Sequence, residues 1–559
     1  MKQFFAAIIL ILPMFCQAQF VADTNLNTRV QDIPGSAQST PLTATTGNGK
    51  TYVSWFDNSS GQYMLRMQLL DSLGQKLWAE NGMVVSSFAQ SSGLYRYDLV
   101  CDHEGNAIVG FQDERSGSMQ VVVNKINNQG LQVWGDSGIL FVDSTSTGLA
   151  PKLAVLGNND VVVAWNAAGN VSGKWIPMRK IKAATGEILW SKRIAISGQK
   201  FGRPAFVSCG ANDFIMLYVK ETGSFFPPAS TMFAQRFKGE DASPVWNQEV
   251  QVSTKNIPFF FFPEIQTDEK QGFFLVFNTG NPLNPMLNDA FAQHVDSSGG
   301  IWSAEGVQIA TSANGNKYDG GYCWNPSDST LCIALRIQDG NQTMSGISLQ
   351  KINTAGERLL GDDGLELRAL NTEMYTPWLL LNGGDGLVCI YGIGGFNNQK
   401  IKGLKTDYNG QALWSYDPIA SASNSNKDDL SAGPFKNGQT VLVWSEDRSG
   451  DDGIYAQNLR LDGHFGNGDV TGIEQIVSNS GPRIFPNPGS NCILEFESTK
   501  GGNLTYRILD AGGKEIMFVP TAAHPGKNRI SIGDGIKSGF YIAEITAEGK
   551  TFRIRMLKE

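Results

Sequence analysis

The sequence predicts an all-β chain: a β-propeller, of eight blades with seven as the alternative count, followed by a small C-terminal β-sandwich. Three observations carry this. A polar turn, an apolar run, a second strand and a glycine turn recur eight times. Sixty-three Gly, 31 Phe and 12 Trp combine with only 18% charged residues, against about 25% in a typical domain, which indicates many short strands joined by tight turns. The last ~75 residues alternate apolar and polar positions in four further runs.

The apolar runs are Thr51–Trp55, Ala107–Phe111, Val161–Trp165, Phe214–Tyr218, Phe273–Phe277, Leu331–Leu335, Leu387–Tyr391 and Thr440–Trp444. Their last residues recur every 53 to 59 positions, a period that accommodates about four short strands and marks a propeller blade. These runs are read as the first strand of each unit. Both faces of a blade pack on neighbours, so the strands are apolar on both sides. Trp78, Trp134, Trp190 and Trp414 stand four residues past Gly74, Gly130, Gly186 and Gly410; Trp246 and Trp302 hold the same role in less regular units, and Leu360 replaces Trp in the sixth. That sixth unit leaves the seven-blade count open. Asn27–Ile33 resembles the end of a unit, and no Trp strand follows Leu461-Asp-Gly463, so the N-terminal strand is expected to complete the last blade and remove its exposed edge.

The domain plan follows. Residues 1–18 read as a signal peptide: Lys2, an apolar run from Phe4 to Phe15, and Cys16-Gln-Ala18 before the cleavage site. The run is shorter than the ~20 residues that span a bilayer, and no transmembrane segment is expected in the mature chain. Residues 27–469 form the repeat domain, 470–482 the linker and 483–559 the tail domain. Six cysteines remain after cleavage, too sparse for a disulfide framework. Cys323 and Cys332 would face each other in a hairpin, either as a disulfide or as buried thiols. A net charge of −8 and the absence of basic runs argue against a nucleic-acid surface.

The tail carries Arg483-Ile-Phe-Pro-Asn-Pro-Gly489, Leu504–Asp510, Gly539-Phe-Tyr-Ile542 and Phe552–Glu559. In these it resembles the type A C-terminal sorting domain of Bacteroidetes type IX secretion cargo. The residues that match are Pro486, Asn487, Pro488, Gly539, Tyr541, Lys550, Arg553, Arg555 and Lys558. The resemblance implies the type IX machinery as a partner and passage through the periplasm to the outer cell surface or the medium. The repeat segments Phe111-Gln-Asp-Glu-Arg-Ser-Gly117 and Trp444-Ser-Glu-Asp-Arg-Ser-Gly450, with Ile454-Tyr-Ala-Gln457, are similar to repeats of secreted bacterial surface proteins.

Candidate sites lie in the loops after the apolar runs. Asp113, Arg115, Glu446 and Arg448 are candidate ligand-binding residues, with turn stabilisation as the competing role, since carboxylates there accept backbone N–H bonds and pair with Arg. Asp447, Asp451 and Asp452 offer hard oxygen ligands for Ca²⁺ without the spacing of a calcium loop; no other cofactor is indicated. Gly135-Asp-Ser-Gly138 matches a protease nucleophile segment but aligns with the sister turns Ala79-Glu-Asn-Gly82 and Gly361-Asp-Asp-Gly364, so it reads as a turn. The four histidines are scattered. Two functions follow: a non-catalytic surface or secreted module binding glycan or protein, or a secreted glycoside hydrolase or other polysaccharide-active enzyme. Carboxylates of the second would come from different blades, where sequence distance hides them.

Overall fold

A computed structural model describes residues 20–466, except 170–172, 224–227, 282–286, 313–314, 396, 449 and 451, and residues 483–558, except 486, 488, 499, 511–512 and 548–549. The expected signal peptide and the expected linker lie outside the described residues. The chain divides into two compact units, 1–467 and 468–559. No described helix is long and apolar enough to cross a membrane.

The first unit is a β-propeller. Among the described residues it contains eight four-stranded antiparallel sheets. The recurring apolar runs sit in the strands Thr51–Asp57, Ala107–Asp113, Val161–Gly169, Asp213–Thr222, Phe273–Gly280, Thr330–Gln338, Leu387–Ile393 and Gln439–Glu446. Each is the second strand of its sheet, not the first. The true first strands, such as Gln38–Thr45 and Ser146–Val155, are less apolar and irregular, which hides them in the sequence. The irregular sixth unit forms a sheet like the others, from Lys317–Asn325 to Leu365–Asn371.

Each pair of neighbouring sheets shares an apolar cluster. Tyr52, Phe56 and Leu65 of the first sheet pack on Val109 and Phe111 of the second, and the pattern continues round. It returns to the start where Val441 and Val443 of the eighth sheet meet Val53 and Trp55 of the first. Burying each large side chain contributes about 1.5–3 kcal/mol, so the sheets stabilise one another rather than folding singly.

Thr28–Gln31 pairs antiparallel with Gly453–Arg460 and supplies the fourth strand of the last sheet. The tryptophan series forms a second belt. The indole N–H groups of Trp78, Trp134, Trp190, Trp246, Trp302 and Trp414 donate to the carbonyls of Asn128, Ala183, Gly239, Ser297, Thr354 and Leu461 at 2.9–3.2 Å. Each latches one sheet to a turn of the next. At the closure Phe20 takes this place: its N–H donates to Leu73 O at 2.8 Å and its ring packs against the turn at Gly74, where a Cβ would have no room.

Cys323 and Cys332 are directly paired across their hairpin, as expected, and are free buried thiols. Cys389 of the seventh sheet packs in the same cluster.

The second unit is a β-sandwich. A three-stranded sheet (Arg483–Phe485, Cys492–Ser498, Gly526–Ile532) and a four-stranded sheet (Glu515–Ala523, Gly502–Asp510, Gly539–Ala547, Lys550–Lys558) enclose one core of Leu494, Phe496, Leu504, Ile508, Ala543, Ile545 and Met556.

Candidate functional site

The first strands of the sheets neighbour one another round the ring and so surround its axis. Most carry a bulge. The register shifts at Ser39/Leu42, Leu149/Lys152, Gly202/Ala205, Asp319/Tyr322, Pro377/Leu379 and Asp428/Ser431. Thr40, Ala150, Arg203, Gly321 and Asp429 there have φ between 50° and 105°. A non-glycine residue held in this region costs about 1–3 kcal/mol, and bulges re-aim the side chains beside them. Lys152, Asp319 and Asp429 stand at three of these bulges.

Six charged side chains from five units of the ring gather at the axis. Lys152 Nζ lies 3.7 Å from Asp98 and 3.3 Å from Glu264. Glu264 enters the fifth sheet and Lys152 belongs to the third, so this bridge crosses the axial opening. Arg96, just before the second sheet, reaches the Phe262 ring at 4.3 Å, also across the opening. Asp319 of the sixth sheet and Asp429 of the eighth complete the group, with Asp319 coupled to Glu264 and Asp429 to Arg96.

The fifth sheet contributes differently. In place of a bulge it has Pro258-Phe-Phe-Phe-Phe-Pro263, which shortens its first strand to Ile265–Thr267. Arg203 holds this segment: its guanidinium donates to Pro258 O and Phe261 O and pairs with Glu221 at 3.0 Å. Phe261 is packed against the core, while Phe260 remains 76% exposed. Tyr322 O–H donates to Glu264 O at 2.7 Å and fixes the end of the segment.

The electrostatics follow from narrow, poorly solvated surroundings. Burial raises the carboxyl of Asp98, opposed by Lys152. Burial also lifts Asp319 to about 6, against the N–H of Gly321, with Glu264 adding to the rise. For Lys152 burial disfavours the charge, but Asp98 and Glu264 outweigh it and hold the ammonium up at about 12. The mouth thus contains a fixed cation between two carboxylates and a third carboxyl that titrates close to neutrality.

Asp319→Asn tests that last point. A folded-state value above the ordinary 3.8 means that the native protein binds the extra proton between about pH 4 and 6, so stability falls as pH rises through this window. The Asn variant, which cannot ionise, should match the parent at pH 4 and exceed it by about 2 kcal/mol at pH 7.5, allowing for solvent screening. Urea unfolding at both pH values measures the difference.

The residues expected at the loops are placed elsewhere. Asp113 is buried and accepts from Arg115 Nε at 2.8 Å, while Arg115 Nη1 donates to Ser137 O and the guanidinium lies 4.3 Å from the Phe88 ring. Glu446 is fully buried and accepts from Trp444 Nε1 at 2.7 Å, from Arg448 and from the hydroxyls of Ser423 and Ser425. Burial opposes its charge, but Arg448, Ser423, Ser425 and Lys427 hold the carboxyl down at about 2. Arg448 also donates to Asn25 O, Leu26 O and Asn27 Oδ1 at 2.7–2.9 Å and lies over the Tyr455 ring. This pair therefore clamps the closing strand. Asp447 accepts two hydrogen bonds from Asn426, Asp452 O accepts from Gln38 N, and Asp451 lies outside the described residues. Among the described residues no group of three or more His, Cys, Asp or Glu gathers as a metal site.

In the tail, Asn487 exchanges bonds with Arg555 O at 2.6 Å and Leu557 N at 2.8 Å, tying the start of the sandwich to its last strand. Gly489 bridges Lys558, whose ammonium donates to Ser490 O. Tyr541 O–H donates to Lys537 O, and Arg553 pairs with Glu544 at 2.6 Å. Gly539 and Lys550 lie in paired backbone of the same sheet, and the Arg555 side chain is exposed on the last strand. Pro486 and Pro488 are outside the described residues.

Fold and site together define a β-propeller with a charged, aromatic-lined axial mouth. No protein-family model and no curated protein sequence matches the chain. Among solved structures, a polysaccharide lyase of family PL25, an ulvan lyase bound to a GlcA–Rha3S saccharide, is similar with TM-score 0.44 and 9% identity over 78% of this chain and 96% of that one. A protein of unknown function from Dyadobacter fermentans gives TM-score 0.35, 9% identity, and 57% and 96% coverage. The α-L-arabinanase of Penicillium chrysogenum gives 0.33, 11%, and 57% and 94%.

Proposed function

We propose that the protein is a surface or secreted binding module whose axial mouth holds a glycan without cleaving it. The observation that carries this is the position of Lys152. A general acid and a second free carboxylate are what glycoside hydrolysis requires, but Lys152 ties up Asp98 and Glu264 together across the opening. What remains presented is a mixed polar rim beside Phe260 and Phe262, on rigid strands that fix its geometry. A glycan panel presented to the full-length protein should give binding without product, and binding should weaken at least tenfold in Lys152→Met.

The enzymatic reading draws on one observation, the carboxyl of Asp319 poised at about 6 next to Glu264. Product formation by the parent, abolished in Asp319→Asn, would establish that reading in place of the first.

The tail supports export as the route to this role. Asn487 and the final strand, the segments that resemble the sorting signal, are bonded into one sandwich. Deleting residues Phe540–Glu559 should leave the protein in the periplasm; normal export of the deletion would refute the assignment.

A further inference from the structure

The outer strand of the third sheet begins at Ile188, ahead of its Trp, and a pocket lies beside it. In the first, second, fifth and sixth units the residue three or four positions past the glycine turn is followed by a second turn ending at Gly82, Gly138, Gly306 or Gly364. At Gly82 and Gly306 this turn closes over the aromatic residue of the second strand: a Cβ on Gly82 would lie 2.9 Å from Trp55, and one on Gly306 3.5 Å from Phe277. No such glycine follows Trp190 in the third unit, Trp246 in the fourth or Trp414 in the seventh. The outer strand of the third sheet runs straight through Ile188–Ile194, pairing with Lys174–Ile181.

A cavity of about 620 Å³ lies between the outer strand Ile139–Phe141 of the second sheet and the face of the third. Its volume is that of a small-ligand site. Its floor is aromatic: Trp165 stacks on Phe141 at 5.3 Å and 20°, with Trp175 and Pro177 alongside. Its wall is cationic. Trp175, Pro177 and Arg179 alternate along one strand face, and Arg193 and Ser191 stand opposite Pro177 and Arg179 in register.

Arg179 is fixed by donating to Met178 O at 2.9 Å and Lys192 O at 3.3 Å, with its guanidinium 5.4 Å from the Trp165 ring. Burial lowers its proton affinity, against the attraction of Asp143. Asp143 is occupied by Thr145 and Ser146. Asp143, which also lines the pocket, attracts both Arg179 and Arg193 from a distance beyond that of an ion pair.

From this arrangement we infer a second binding site, for an anionic sugar residue. The half-exposed indole of Trp175 would take the C–H face of a pyranose ring, with buried Trp165 supporting the floor beneath it. The guanidinium groups would take its carboxylate or sulfate, for which their planar forked donors are suited. This inference is independent of the axial reading, because none of the axial residues lines the pocket.

The test is calorimetric titration of the full-length protein with tetragalacturonate, with a sulfated oligosaccharide and with neutral maltotetraose. Arg193→Gln and Trp175→Ala change exposed or half-exposed positions, and melting curves check that both variants fold. Binding of either anionic probe, tenfold or more weaker in both variants and weakened by salt, supports the site; the better of the two probes identifies carboxylate or sulfate. Equal affinity for maltotetraose, or full affinity in the folded variants, overturns it. Loss in Lys152→Met alone would place the anion at the axial mouth and equally overturn it.

Discussion

Arg448→Ala should destabilise the propeller by about 3 kcal/mol, the low end of the cost of breaking a buried ion pair, because Lys427 remains 3.3 Å from Glu446. The carboxylate of Glu446 would lose its strongest donor inside the eighth sheet, and Asn25, Leu26 and Asn27 would lose the guanidinium that holds them. The effect should be local in origin. The closing strand Thr28–Gln31 joins the last sheet through one edge only, so its amides should exchange with solvent first. Arg448→Lys keeps the charge without the planar fork and should recover part of the loss. Urea unfolding with hydrogen exchange would show both; an unchanged midpoint in Arg448→Ala would mean that the closure does not depend on this clamp. Glu446 adds a pH dependence with a definite sign. Its folded value lies below the ordinary one, so its stabilising contribution is complete above about pH 4.5 and declines as pH falls toward 2.

Trp165→Ala should cost a similar amount, about 3–5 kcal/mol, through the cavity it leaves. Trp165 is 4% exposed and belongs to the cluster shared by the second and third sheets, with Val121, Val123 and Val163. Its loss removes the stacking on Phe141 and the surface beneath Arg179. Trp175→Ala is the control. That ring is only partly buried against the same cluster, and its removal should lower the melting midpoint far less. Equal midpoints for the two variants would take Trp165 out of the core.

The fold was legible because its signals are local and repeated. Runs such as Val161–Trp165 and Thr440–Trp444 are apolar on both faces, as inter-sheet burial demands, and the absence of a Trp strand after Gly463 pointed to the N-terminal strand. Even so, the runs are second strands. The first strands are short of apolar residues, bulged and partly solvent-facing, so they resemble loops in the sequence.

The site was legible only in principle. That charges from different blades would converge was foreseeable, but Arg96, Asp98, Lys152, Glu264, Asp319 and Asp429 share no motif, and the bulges that aim them leave almost no trace beyond Gly320-Gly321. The run Phe259–Phe262 between two prolines was the one available signal. In the loop after the apolar runs the carboxylates pair with arginine, Asp113 with Arg115 and Glu446 with Arg448. Their task is internal, turn bonding at Asp113 and strand closure at Glu446, because both carboxylates are buried by the neighbouring sheets before any ligand can reach them.

The central claim is that the axial mouth binds a glycan and leaves it intact. The most direct measurement is to incubate the full-length protein with a glycan panel, recording binding by calorimetry and products by chromatography in the same samples, beside Lys152→Met. The expected result is saturable binding by the parent, at least tenfold weaker in the variant, with every ligand recovered uncut. Cleaved product from the parent, or equal binding by parent and variant, would contradict it.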